Sequence, residues 1–295
     1  MSRTRRLDLL LAFILSCTGT TAAQVPKSTP AAGATTTESP TVALRSLNRS
    51  STADDIVDID ADRNALRLAP NDAGLYNNLG YAYARQQNYD AAVRMFEQAI
   101  ALEPNLAAAH YNLGIVYDHL GRLPAALAAT RRAVVSDPRH LPARGHLCEL
   151  HMVLGQQSEA VECYEVLIEL APNDAKARSN YGSALRRAKR ADKALMVLEE
   201  AVQLFPESPE AHNQLGVVFV EAKRYDKAVV AFRRAVELAP NVEEARYNLG
   251  VAEFALENKT AALEHYAFLK RSNSPLAERL DSVIHRKHVV TVGRD

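Results

Sequence analysis

The chain has 295 residues, with 35 Lys and Arg against 35 Asp and Glu, so its formal net charge is zero. Apolar residues make up 47% and charged residues 24%, which excludes a chain disordered throughout and disfavours a nucleic-acid binder, a class that carries a basic excess. Three Cys are too few for a scaffold built on disulfides.

Arg3, Arg5 and Arg6 precede an apolar run from Leu9 to Leu15, and Thr21-Ala22-Ala23 follows. That is the layout of a secretory signal peptide over residues 1–23. The run is far shorter than the about 20 residues a membrane-spanning helix needs. Ile14-Leu15-Ser16-Cys17 offers a second reading, because it resembles the lipobox of bacterial lipoproteins, with Cys17 as the acylated residue and Leu15 as an unusual occupant. The chain is therefore expected to be exported, periplasmic or secreted, with a lipid-anchored form as the alternative. No later segment is long and apolar enough to span a bilayer. Without residues 1–23 the chain holds 32 basic and 34 acidic residues.

Residues 24–52 are read as a disordered tether, since 19 of the 29 are Ser, Thr, Pro, Ala or Gly. Such a segment buries too little apolar surface to offset its ordering entropy.

The rest of the chain repeats. Pro70, Pro104, Pro138, Pro172, Pro206 and Pro240 are each 34 residues apart. Ala92, Ala126, Ala160, Ala194, Ala228 and Ala262 keep the same step, as do Gly80, Gly114, Gly182, Gly216 and Gly250, with Cys148 filling the gap. Phe96, Tyr164, Leu198, Phe232 and Tyr266 form a further series, broken by Thr130. Within one unit, Tyr76, Leu79, Gly80 and Tyr83 recur at helical spacing, and so do Ala92, Phe96, Ala99 and Ile100. The unit thus reads as two helices joined by a turn, which Gly121 and Gly155 suit as C-caps. Asn71, Asn105, Asn173 and Asn241, after the prolines, suit a cap or turn. Small residues at Gly80 and Ala92 allow the two backbones to approach.

Tyr76-x2-Leu79-Gly80-x2-Tyr83, then Ala92-x3-Phe96-x2-Ala99 and Pro104, resembles the tetratricopeptide repeat. The resemblance implies an all-α fold, a right-handed superhelical solenoid of helix-turn-helix repeats with a C-terminal capping helix. Its domain would span 53–286: a half-repeat at 54–72, six repeats at 73–106, 107–140, 141–174, 175–208, 209–242 and 243–276, and a cap at 277–286. A tail, 287–295, follows. The repeat at 141–174 departs most, with Cys148 for Gly and His151 for Tyr, and Ser274-Pro275 puts the last unit one residue out of phase.

The resemblance also implies a concave groove, lined by first helices, that binds peptides or protein segments. The sixth position of the unit points there and holds Asn78, Asn112, His146, Asn180, Gln214 and Asn248. A carboxamide offers donors and an acceptor to an extended backbone of any sequence. Asn77, Tyr111, Asn213 and Tyr247, then Tyr81 and Ile115, add to the expected groove. The partner is an unidentified protein or peptide, with no nucleic acid. Asn at these positions also serves local packing or meets water, and that reading stays beside the first.

Other constellations carry less. Asp58, Asp60 and Asp62 resemble a calcium loop, but Arg63 and Ala69 stand where Gly and Glu belong, so an acidic helix start is the better reading. Cys148 and Cys163 are disulfide candidates on facing sides of one helix pair, with buried free thiols as the alternative. His146 and His151 point apart, so no metal site is expected, and no cofactor. Arg186, Arg187, Lys189, Arg190 and Lys193 read as a solvated helix end, with contact to an acidic partner as the alternative. No nucleophile, base or metal motif is spaced for catalysis, so the chain is expected not to be an enzyme.

Overall fold

A computed structural model describes residues 59–285. The leader with Cys17, the tether, Asp58 and the tail 287–295 lie outside the described residues. Within them the chain is all helix, with no strand: α1 Ile59–Leu68, α2 Ala73–Arg85, α3 Tyr89–Leu102, α4 Ala107–His119, α5 Leu123–Ser136, α6 Leu141–Val153 and α7 Gln157–Leu170. Then follow α8 Ala175–Arg187, α9 Ala191–Leu204, α10 Pro209–Glu221, α11 Tyr225–Leu238, α12 Glu243–Ala255, α13 Lys259–Arg271 and α14 Pro275–His285. Contacts divide the chain into two compact units at Leu170 and Ala171, so α1–α7 fall in the first and α8–α14 in the second.

The first helix of each repeat begins at Ala73, Ala107, Leu141, Ala175, Pro209 and Glu243, a constant step of 34 residues. The N-cap lies just before. Asp72, His140, Asp174 and Ser208 accept from the N–H three residues on, satisfying an orphan donor of the first turn. The asparagines that follow the prolines lie in the turn one residue earlier, so at Asn71 and Asn173 the capping role passes to Asp72 and Asp174. The turn inside each hairpin needs one residue with positive φ. Gly121 and Gly155 supply it at 69° and 71°, and Gln87, Lys189, Lys223 and Glu257 adopt it without being glycine.

At about 100° per residue, positions 4, 7, 8 and 11 of a first helix share one side, and 5, 6, 9, 12 and 13 the other. Positions 7 and 8 are buried in all six repeats. Position 8 is the point of closest approach. A Cβ on Gly216 would stand 2.5 Å from Phe232 Cε1, and one on Gly80 2.7 Å from Phe96 Cε1, and both rings are fully buried. Cys148 occupies this place in the third repeat. There a disulfide joins Cys148 to Cys163 across α6 and α7, with Cα atoms 5.3 Å apart. In the last repeat Gly250 meets Leu280 of α14 rather than Tyr266, because α13 presents His265 and not Tyr266 to that glycine. Tyr266 is left half-buried.

Position 4 carries a pattern the sequence reading missed. His110, Arg144, Arg178, His212 and Arg246 each donate to the carbonyl of the proline six residues earlier, at 2.9, 2.8, 3.3, 3.0 and 2.8 Å. A carbonyl only accepts, so His110 and His212 carry their proton on Nε2. The bond ties each first helix to the chain just after the preceding helix C-terminus, where carbonyls lack helical partners and cations are favoured. The signal was present as His or Arg every 34 residues.

Candidate peptide-binding face

The expected groove residues lie on α2, α4, α6, α8, α10 and α12, and the structure treats them unequally. Asn78 is exposed; Asn77, Tyr81, Tyr111, Asn112, Asn180 and Gln214 are half-buried; Ile115, His146, Asn213, Tyr247 and Asn248 are buried. The column is therefore not a row of open carboxamides.

Several of its members bond one another. Asn112 Nδ2 donates to Asn77 Oδ1 at 3.0 Å, and Asn248 Nδ2 donates to Asn213 Oδ1 at 3.0 Å. Arg186 Nη1 meets Glu221 Oε1 at 2.7 Å, with the arginine side chain only 4% exposed. Each pair is 35 residues apart, one more than the repeat. Within each unit these first helices are thus offset by one residue, so position 5 of one meets position 6 of the next, and in the second unit position 12 meets 13. Four of the expected groove residues, Asn77, Asn112, Asn213 and Asn248, thus hold neighbouring repeats together.

In the first unit His146 is locked rather than offered. Its Nε2 donates to Asp118 Oδ2 at 3.2 Å, and its Nδ1 is hydrogen-bonded to Thr130 Oγ1 at 3.1 Å. Thr130 explains this. It replaces the large apolar or aromatic side chain of position 24, is fully buried, and sits against Gly114, leaving room for an imidazole where other repeats place a larger side chain. Nearby, His119 stacks on Tyr89 with ring centroids 5.7 Å apart. Burial pushes its pKa below the ordinary imidazole value; Asp118 opposes the shift and His146 adds to it.

In the second unit, Asn213 Nδ2 also reaches Glu244 Oε1 at 3.5 Å. Burial raises the Glu244 carboxyl, with Asn213 and Arg186 acting in the opposite direction. The carboxylate orients Asn213, and Asn213 orients Asn248. At the end of this relay Asn248 Oδ1 is buried with no hydrogen-bond partner, as is Gln214 Oε1. Tyr247 is covered in part by Arg279 of α14, whose guanidinium lies 5.5 Å from the ring centroid.

The basic run separates into distinct roles. Arg186 is buried on Glu221, and Arg187 is half-buried, its pKa lowered by burial and by Arg186. Lys189, Arg190 and Lys193 stay exposed. No group of three or more His, Cys, Asp or Glu among the described residues is placed to hold a metal ion. Nor is any described helix long and apolar enough to cross a membrane.

Two profiles of the tetratricopeptide repeat match the chain, one at residues 77–140 and 213–275 and the other at 173–241. The chain belongs to the tetratricopeptide repeat family. The matched segments omit 141–172, the tetratricopeptide unit in which Cys148 replaces glycine. No curated protein matches the chain. Solved tetratricopeptide structures do. YrrB, described as having an unusual peptide-binding site, is 22% identical over 63% of this chain and 96% of its own, with a TM-score of 0.56. PilW, described as a widely conserved type IV pilus biogenesis factor, is 19% identical over 70% of this chain and 97% of its own, with a TM-score of 0.62. MamA from Desulfovibrio magneticus RS-1 is 25% identical over 58% of this chain and 96% of its own, with a TM-score of 0.53.

Proposed function

We propose that this chain is an exported, non-enzymatic scaffold that binds an extended protein segment along the outer side of its first helices. The observation that carries the reading is the state of α8 and α10. Asn180 and Gln214 are half-buried at position 6, and Gln214 Oε1 has no hydrogen-bond partner in the protein. A rotation of the Gln214 side chain brings that acceptor to the N–H of a bound backbone, and an unmet acceptor is costly until it is met. Tyr81 and Tyr111 offer the same side of the first unit large contact area with a polar tip. The tetratricopeptide fold, shared with a structure described as peptide-binding, supports the reading.

Photo-crosslinking residues placed at Asn180 and Gln214 are expected to capture a partner segment in cells, whereas the same residue at exposed Met196 captures none. Replacing Asn180 and Gln214 together with Ala should then weaken binding of that partner at unchanged circular dichroism. Unchanged affinity defeats the reading.

A second reading rests on Ile14-Leu15-Ser16-Cys17: a lipid-anchored assembly factor acylated at Cys17. Mass spectrometry of the mature N-terminus separates the two. Gln24 as first residue supports cleavage after Ala23 and excludes the anchor.

A further inference from the structure

The turns that close the fourth and fifth repeats carry nearly the same five residues: Lys189-Arg190-Ala191-Asp192-Lys193 and Lys223-Arg224-Tyr225-Asp226-Lys227. No other repeat has them. The corresponding segments are Gln87-Asn88-Tyr89-Asp90-Ala91, Gly121-Arg122-Leu123-Pro124-Ala125, Gly155-Gln156-Gln157-Ser158-Glu159 and Glu257-Asn258-Lys259-Thr260-Ala261. Both copies lie in the second unit, at the same edge of adjacent hairpins, and each sets three cations against one carboxylate. Lys189, Arg190, Lys193, Lys223 and Lys227 are exposed, and Arg224 is half-buried.

Aromatic rings hold several of these cations in place. Lys193 Nζ lies 5.7 Å from the Tyr181 ring centroid, while Arg224 Cζ and Lys227 Nζ lie 4.8 and 5.9 Å from that of Phe219. The placement works against stability. Lys189 and Lys223 take positive φ, 59° and 58°, where glycine fits without cost. Arg190 and Arg224 stand at the N-caps of α9 and α11 without a side-chain cap bond, at the helix end where a cation is least favoured. A motif that costs stability twice over, and does so in two neighbouring repeats, calls for a use outside the fold.

We infer that this edge of the second unit is a docking surface for an acidic protein segment, one that runs across the two turns and sets carboxylates against each cation cluster. Charge complementarity favours that occupant over an anionic lipid surface. Lipid attraction sums charge over a broad area, which Asp192 and Asp226 offset, and it is reinforced by interfacial tryptophan, of which the chain has none.

The test uses the full chain and a short fluorescein-labelled polyglutamate peptide, read by fluorescence polarisation at low salt, where such contacts are least screened. The comparison variant is Lys189→Glu with Lys223→Glu. Its fold is expected to survive, because Glu257 already holds the equivalent turn position with φ 68°. The peptide should bind the native chain and lose roughly tenfold or more in affinity on the variant. The control, Arg131→Glu with Arg132→Glu on exposed residues of the first unit, should leave affinity unchanged. Failure of the peptide to bind, equal binding to the native chain and the variant, or an equal loss in the control overturns the proposal. So does binding to phosphatidylserine vesicles without binding to the peptide.

Discussion

Asn248 donates its Nδ2 to Oδ1 of Asn213, 35 residues earlier, at 3.0 Å, and both residues are buried. The bond crosses from one repeat to the next, and in a repeat protein such nearest-neighbour terms carry the cooperativity. Replacing Asn248 with Ala strands Asn213 Oδ1 in the interior. The expected loss is about 1–3 kcal/mol in urea unfolding, against less than about 0.5 kcal/mol for Asn78→Ala at an exposed position. Equal costs would show that the bond contributes nothing.

Two glycines should respond in opposite directions. Gly216→Ala drives a methyl to 2.5 Å from the buried Phe232 ring, and is expected to cost about 1–3 kcal/mol as the core yields. Gly145→Ala, in the middle of α6, meets only Leu167 Cδ2 at 4.0 Å and should stabilise by about 0.5–1 kcal/mol through helix propensity. Thermal unfolding of the two variants checks both signs.

The disulfide stands where other hairpins use a glycine against a large side chain. It closes a segment of 15 residues, so reduction is expected to lower stability by about 3 kcal/mol on the chain-entropy model. A reductant should lower the melting temperature of the native protein. It should leave unchanged the variant with both Cys148→Ala and Cys163→Ala.

The pH response has two opposed components. Burial depresses the His265 pKa, and neighbouring Arg246 and Arg233 add to this. Its contribution is present above the ordinary imidazole value and is lost as pH falls toward the depressed one. The Glu244 pKa is raised, so its contribution is present below the ordinary carboxylate range and is lost as pH rises through the raised value. Glu244→Gln keeps an acceptor for Asn213 and should make the protein more stable at neutral pH. His265→Gln should flatten the loss between neutral and mildly acidic pH. Chemical unfolding midpoints across pH measure both.

Arg190→Asn and Arg224→Asn should each stabilise by roughly 0.5–1 kcal/mol. Asn88 and Asn258 show why, since each accepts from the N–H three residues on at the same place in its own repeat. The same variants should weaken acidic-peptide binding. A rise in melting temperature together with a fall in affinity is the expected outcome, and affinity that holds as stability rises would contradict the docking surface.

The helix pairs, their period and the family were legible in the chain because each signal is local. A proline closes a helix, a glycine permits close approach to a side chain 16 residues on, and both recur every 34 residues. Position 6 was legible as a column but not as a set of roles. Whether a carboxamide there faces a ligand or a neighbouring repeat depends on the one-residue offset between first helices, a product of packing that no single repeat encodes. That offset sets Asn112 against Asn77 and Asn248 against Asn213 as staples, whereas Gln214 follows Ser179 and keeps its Oε1 without a partner. Tertiary packing likewise decided that Thr130 makes room for His146, and that Leu280 of the last helix takes the place beside Gly250. A repeat writes its own hairpin in sequence; the fit between hairpins arises only where their side chains meet.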